Sequence, residues 1–115
     1  MSYDTKHLQQ VFAGAVPDQE LSYRPMFGGI LVYAGGRPLA SLSNMGLGLK
    51  MCGPDHAVLL GMKGAERLRY DMNAPLSKSY VVVPRSMLED TDLLRSWILR
   101  AMSALPAAKP KRKVR

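Results

Sequence analysis

The sequence predicts a single α+β domain, a two-layer sandwich in which an antiparallel sheet of about five strands carries the N- and C-terminal helices on one face. Two observations lead to this prediction. Amphipathic helical patterns lie near the two ends of the chain, and short strand-like runs with glycine-rich turns lie between them. At 115 residues, 47% of them hydrophobic, the chain can form one core and is too short for two ordinary domains.

Apolar residues at three- and four-residue steps predict the two terminal helices. The first helix begins near Asp4 or Thr5, either of which can cap it, and its stripe is Leu8, Val11, Phe12 and Ala15. The last helix begins near Asp90 or Thr91 and ends before Pro106. Its wide stripe suits packing on a sheet and consists of Leu93, Leu94, Trp97, Ile98, Ala101, Met102 and Leu105.

Three consecutive strands are predicted between residues 30 and 51, as a meander. The runs are ILVY, then RPLASLS after the turn at Gly35 and Gly36, then MGLGLKM, whose Met45, Leu47, Leu49 and Met51 share one face. A short helix follows in GPDHAVLLGMKGAE. ERLRYDM and SYVVVP supply two more strands, separated by the loop NAPLSK.

The stretch RPMFGG, which precedes the first predicted strand, contains three candidate contact residues, Arg24, Gly28 and Gly29. The glycines could admit a partner's backbone or a phosphate, with Arg24 supplying charge. The favoured interpretation is structural: the pair permits a bulge or bend, Pro25 stiffens the entry, and Met26 and Phe27 fill the core. The spacing and flanking elements match neither a phosphate-binding loop nor a dinucleotide fingerprint.

Further candidate contacts carry positive charge. Arg67 and Arg69 alternate with apolar residues on the polar face of one predicted strand, where they could bind phosphates or an acidic partner. The formal net charge of +7 lies mostly in the last seven residues, which contain five basic side chains and no acid, leaving 7 − 5 = +2 for the rest. Residues 106–115 are predicted to form a disordered basic tail able to contact polyanions through Lys109, Lys111, Arg112, Lys113 and Arg115.

Enzymatic chemistry has little support in the sequence. One candidate cluster is Cys52, Asp55 and His56, which are close along the chain, and a cysteine with a histidine can act as nucleophile and base. These residues lie across a predicted strand end, a Gly-Pro break and a helix start, so the sequence does not specify their relative geometry. A metal would need two ligands besides Cys52 and His56, and His7, the other histidine, lies on the first helix. We therefore expect no catalytic residues, no bound metal and no cofactor.

The composition favours a cytoplasmic protein. One cysteine cannot form an internal disulfide, and eight methionines suit a reducing compartment. No apolar run approaches the roughly 18 residues of a membrane span, and the first residues lack the pattern of a secretory signal. An exposed sheet edge could support a homodimer.

Several motifs resemble one known family. The chain is similar, in the order and spacing of these motifs, to the N-terminal domain of the TfoX/Sxy competence regulators. The motifs are RPMFGG followed by a strand, a glycine-rich hairpin, LGLK and then SYVVVPRSMLEDTDLLRSWILRAM. The resemblance runs from about Phe12 to Leu105, and we therefore expect residues 1–105 to form the domain. This sequence differs from the family at Gly48, where relatives more usually have a larger residue, often an aromatic one. Full-length regulators carry a second, helical domain and act with the cyclic-AMP receptor protein on DNA-uptake genes. The resemblance of these 115 residues is to the N-terminal domain only.

The resemblance implies a bacterial domain of α+β fold with no catalytic residues to transfer. We expect a non-enzymatic regulatory or adaptor domain that works by contact with a protein, such as a component of the transcription machinery. The alternative is a weak, non-specific nucleic-acid binder that uses the basic tail with Arg67 and Arg69.

Overall fold

The computed structural model describes residues 3–26, 29–69 and 75–104. Within them the chain forms, in order, α1 (Thr5–Ala15), β1 (Leu21–Met26), β2 (Gly29–Ala34), β3 (Arg37–Ser43), β4 (Gly46–Lys50), α2 (Pro54–Leu60), β5 (Glu66–Arg67), β6 (Tyr80–Val82), α3 (Arg85–Leu88) and α4 (Thr91–Ala104). No helix of the described residues has the length and apolarity needed to cross a membrane.

The six strands form one open antiparallel sheet in the order β1-β2-β3-β4-β6-β5. The first four strands are a meander, and β6 then pairs with β4, so that β5 lies at the far edge. The helices α1 and α4 contact each other and the sheet, which confirms the predicted α+β fold with one strand more than the expected five.

The additional strand is β1, which the sequence interpretation missed. Residues 24–29 were expected to lead into one strand with a bend at the glycine pair, whereas β1 pairs with β2 from Leu21 opposite Ala34 to Met26 opposite Gly29. Pro25 has no N–H to donate to a neighbouring strand. It is tolerated because β1 is an edge strand, and in the part of the chain that the structure describes no strand lies on the other side of its backbone.

The core lies between the sheet and the terminal helices. Phe12 and Leu8 of α1 and Ile98 and Leu94 of α4 are fully buried against strand residues such as Leu42, Leu47, Leu49 and Val81. The pairing of β2 with β3 shifts register between Val32 and Tyr33. Because of this irregularity two consecutive residues, Leu39 and Ala40, are both buried in the core.

Both terminal helices are capped as predicted. The Asp4 carboxylate accepts a hydrogen bond from Lys6 N at 3.0 Å, and the Asp90 carboxylate accepts one from Leu93 N at 3.1 Å. The prediction for Leu93 was wrong: this side chain is 36% exposed, whereas Leu94 is completely buried. Leu93 lies one position before the row of Leu94, Trp97 and Ala101, so the helix turns it toward solvent.

An ion pair joins the end of α1 to α4. Arg95 Nη1 donates to Asp18 Oδ1 at 2.6 Å and to the Ala15 carbonyl at 3.2 Å, while Nη2 donates to Asp18 Oδ2 at 3.0 Å. These hydrogen bonds hold the pKa of Asp18 well below its ordinary value. The guanidinium therefore binds a C-terminal carbonyl of α1 and the turn that follows it.

The short helices differ in how well the sequence predicted them. The predicted helix after Pro54 is α2, with Gly53 at its N-cap and Asp55 in its first turn. The four-residue α3 was not predicted: it starts directly after Pro84, where the sequence indicated only the end of a strand. Residues such as Arg85 have too few helical neighbours there for an amphipathic period to be visible.

Candidate functional site

The predicted contact residues fall at opposite edges of the sheet. Arg24 lies on β1 at one edge, and Arg67 lies on β5 at the other. Five strand spacings separate these edges, roughly 24 Å at the usual distance between neighbouring strands. Gly28 and the tail residues lie outside the described residues. The two arginines therefore belong to two separate surfaces.

Leu68 fixes the position of Arg67 and Arg69 at the β5 edge. Leu68 is fully buried, and a Cβ placed on Gly48 would lie 3.3 Å from Leu68 Cδ2, so the glycine makes room for the leucine on the sheet. The backbone of Leu68 donates to the Tyr80 carbonyl at 3.0 Å and accepts from Ser77 N at 2.6 Å. The predicted alternation is therefore confirmed for Leu68, although the ladder covers only Glu66 and Arg67; Tyr70, Asp71 and Met72 lie outside the described residues.

Ser77 helps to hold a second hydrophobic side chain at this edge. Its hydroxyl oxygen accepts hydrogen bonds from Ser79 N at 3.2 Å and from Tyr80 N at 3.0 Å. With the bond from Ser77 N to Leu68, this turn holds the preceding residue, Leu76, beside β5. Leu76 is 44% exposed, a large fraction for a leucine. Position 76 lies in the predicted loop NAPLSK, so hydrophobic periodicity gave no reason to select it.

These residues line an open groove of about 730 Å³ that we call the β5 groove. Its apolar residues are Met45, Leu60, Ala65 and Leu76, and its charged residues are Glu66, Arg67 and Arg69. Arg67 is exposed and Arg69 is half-buried. A surface of this kind combines apolar side chains with guanidinium groups, and guanidinium groups can bind carboxylates in a bidentate manner.

At the opposite edge, Arg24 contacts an aromatic ring of its own sheet. Its guanidinium carbon lies 5.2 Å from the centre of the Tyr33 ring, on the face of the sheet away from the helices. Gly29 has a structural reason to be glycine, because a Cβ there would lie 2.6 Å from the Leu42 carbonyl oxygen. The close approach of β3 accounts for this glycine without a ligand.

The three residues considered for catalysis have separate surroundings. Cys52 is exposed and its Sγ lies 3.4 Å from the Ala104 carbonyl oxygen, while Asp55 pairs with Arg100 at 3.4 Å. His56 is half-buried, and its Nε2 has no hydrogen-bond partner among the described residues. Across residues 3–26, 29–69 and 75–104, no three His, Cys, Asp or Glu side chains form a group that could hold a metal ion.

Comparison with protein families matched residues 12–105 to the TfoX N-terminal domain. The chain belongs to the TfoX N-terminal domain family. The match covers most of the 115 residues and spans both edges of the sheet, including the β5 groove. Comparisons with curated proteins and with solved structures gave no match.

Within this TfoX N-terminal domain, sequence reasoning identified the arginines of the β5 groove and missed its apolar part. Met45 and Leu60 were assigned to a strand and a helix as ordinary hydrophobic positions, and their place beside Arg67 depends on tertiary structure. One local signal was available for Leu76, which is an isolated leucine between Pro75 and Ser77 in an otherwise polar loop.

Proposed function

We propose that this TfoX N-terminal domain is a non-enzymatic regulatory or adaptor module that binds a protein partner through the β5 groove. The partner's binding segment would combine acidic and large apolar side chains. The resemblance to TfoX/Sxy competence regulators suggests transcriptional regulation in a bacterial cytoplasm as the setting.

The composition of the groove is the observation that carries this proposal. Arg67 is exposed and offers charge-assisted hydrogen bonds to carboxylates, while Leu76 exposes 44% of its surface beside Leu60 and Met45. Protein-binding surfaces usually combine apolar contact with polar and charged groups, as this lining does. A partner segment with alternating leucine and glutamate side chains would satisfy both parts of the groove.

A nucleic acid suits the β5 groove less well than an acidic peptide. The described lining contains no aromatic ring on which a base could stack. The basic tail, residues 106–115, is the feature that favours nucleic acid. Tail-dependent binding is therefore the competing proposal and must be separated experimentally.

The test measures fluorescence anisotropy with three labelled probes: a peptide of about twelve alternating leucines and glutamates, the same peptide with lysine for glutamate, and random duplex DNA. We expect the leucine-glutamate peptide to bind preferentially. Arg67→Glu should weaken its binding roughly tenfold because the substitution replaces attraction to the peptide's carboxylates with repulsion. Leu76→Ser should also weaken it, whereas Lys6→Glu on α1, an identical change of charge, should not.

Two results would contradict the protein-contact proposal. Binding of the acidic peptide that Arg67→Glu and Leu76→Ser leave unchanged would remove the groove from consideration. Tighter binding of DNA that persists after removal of residues 106–115 would make the folded domain a nucleic-acid reader. DNA binding that disappears with the tail, with a slope of log K against log salt near −4 to −5, would assign it to the tail's five basic residues.

A further inference from the structure

Among residues 3–26, 29–69 and 75–104, no strand pairs with the outer side of β1, and Pro25 shows which of its backbone groups point to that side. Pro25 stands opposite Ile30 in the pairing of β1 with β2, and proline has no N–H to donate. Position 25 is therefore one whose backbone groups point away from β2. Because this direction alternates along an antiparallel strand, the N–H and C=O groups of Leu21 and Tyr23 also point outward.

We propose that β1 pairs with β1 of a second copy of this chain, antiparallel, about a two-fold axis at Ser22. The two six-stranded sheets would then form one continuous sheet. In this register Leu21 lies opposite Tyr23 of the second copy, and Ser22 lies opposite its own equivalent. Each copy contributes the outward groups of Leu21 and Tyr23, giving four backbone hydrogen bonds.

Pro25 and the charged residues select this register among those the edge allows. A two-fold axis one residue later, at Tyr23, would put Leu21 opposite Pro25, where a donor is missing. An axis one residue earlier, at Leu21, would put Glu20 opposite Ser22 and leave its charge unmatched. With the axis at Ser22, Glu20 stands opposite Arg24 of the second copy, twice by symmetry.

Side chains of the edge fit the same arrangement. Ser22, Arg24 and Glu20 are exposed, and continuing the alternation of β1 places Glu20 on the face of the sheet that carries Arg24. The Tyr33 ring, 5.2 Å from the Arg24 guanidinium, supports that side chain on this face. The small Ser22 permits the close spacing of a non-hydrogen-bonded pair at the axis. Pairing ends at Glu20, because Gln19 N already donates to the Val16 carbonyl at 3.1 Å.

Charge reversal tests this register without disturbing the core. Within one chain Glu20 and Arg24 are four residues apart, roughly 13 Å along an extended backbone, so they do not form an ion pair with each other. Sedimentation equilibrium of the full chain at fixed ionic strength should show a reversible dimer. Glu20→Arg alone or Arg24→Glu alone should raise the dissociation constant roughly tenfold or more, because each places like charges opposite one another twice.

An equimolar mixture of the two single variants should associate as a heterodimer, since the two arginines of one chain then face the two glutamates of the other. The double variant Glu20→Arg, Arg24→Glu should regain the original dissociation constant. Lys6→Glu changes the net charge as Arg24→Glu does and should leave dimerisation unchanged. A chain that stays monomeric up to about 1 mM would overturn the proposal, as would a dimer indifferent to both single reversals.

A disulfide at the axis gives an independent readout. With Cys52→Ser removing the native thiol, Ser22→Cys would place two thiols opposite each other in a non-hydrogen-bonded pair, close to the separation that a disulfide requires. We expect rapid formation of a covalent dimer under mild oxidation. Ser103→Cys in the same background, an exposed site on α4, should cross-link much more slowly. Equal rates for the two sites would overturn the register.

Discussion

Replacing Gly29 with alanine tests whether this glycine is present for packing or for a partner. An added Cβ would lie 2.6 Å from the Leu42 carbonyl oxygen, whereas real Cβ atoms essentially never approach closer than 3.0 Å. The backbones of β2 and β3 would have to separate by at least the difference, 0.4 Å. Overpacking of this kind costs about 1–3 kcal/mol, against a gain of about 0.4–1 kcal/mol from the stiffer unfolded chain. We expect a net loss of about 0.5–2 kcal/mol.

Gly14→Ala is the matched control, with an expected effect of opposite sign. Gly14 lies in α1, and an added Cβ meets nothing within 4 Å. Alanine favours helix over glycine by up to about 1 kcal/mol, so this variant should be stabilised. Both can be measured by urea unfolding followed through the fluorescence of Trp97, the single tryptophan, which is buried in the core. An unfolding free energy unchanged by Gly29→Ala would refute the packing explanation and return Gly29 to the candidate contact residues.

Two further predictions concern the helical layer. Asp18→Asn removes the carboxylate partner of Arg95. In the folded chain the pKa of Asp18 lies below its ordinary value of about 4, so the ion pair stabilises the native chain fully above about pH 4. This stabilisation disappears as the pH falls through the lower pKa of the folded chain. Thermal unfolding should therefore give Asp18→Asn a lower midpoint temperature than the native chain at pH 7, and the two midpoint temperatures should converge toward pH 2. A difference in midpoint temperature that stays constant with pH would contradict this. Leu94→Ala should lower the free energy of unfolding in urea by about 2–5 kcal/mol, whereas Leu93→Ala, with a partly exposed side chain, should lower it by about 1 kcal/mol. Similar values for the two would show that α4 is rotated differently.

Features governed by local chemistry were predictable from the sequence. Asp4 and Asp90 cap α1 and α4 as expected, since a cap depends on residues within one helical turn. Leu47 and Leu49 alternate into the core because β4 obeys the two-residue period of a strand. The strand β1 was not predicted, and whether Pro25 fits in a strand depends on whether that strand has one neighbour or two, which is a property of the assembled sheet.

The candidate site was predictable only in part, because strand order is not local. No pattern around Arg67 indicates that β6 inserts between β4 and β5, and this insertion places Arg67 and Arg24 at opposite edges. The approach of Leu76 to Leu60 likewise depends on backbone bonds made by Ser77. A sequence pattern identifies charged residues but not their apolar neighbours.

The strand order also has a consequence for folding kinetics. The meander β1 to β4 is continuous in sequence, so each of its pairings closes a short loop, whereas the contact of Arg95 with Asp18 joins residues 77 positions apart. The length-dependent part of the closure entropy is about 4 kcal/mol for such a loop, against about 1 kcal/mol for a loop of four residues. We expect the meander to form in the folding transition state and α4 to dock after it, so that substitutions in α4 accelerate unfolding more than they slow folding.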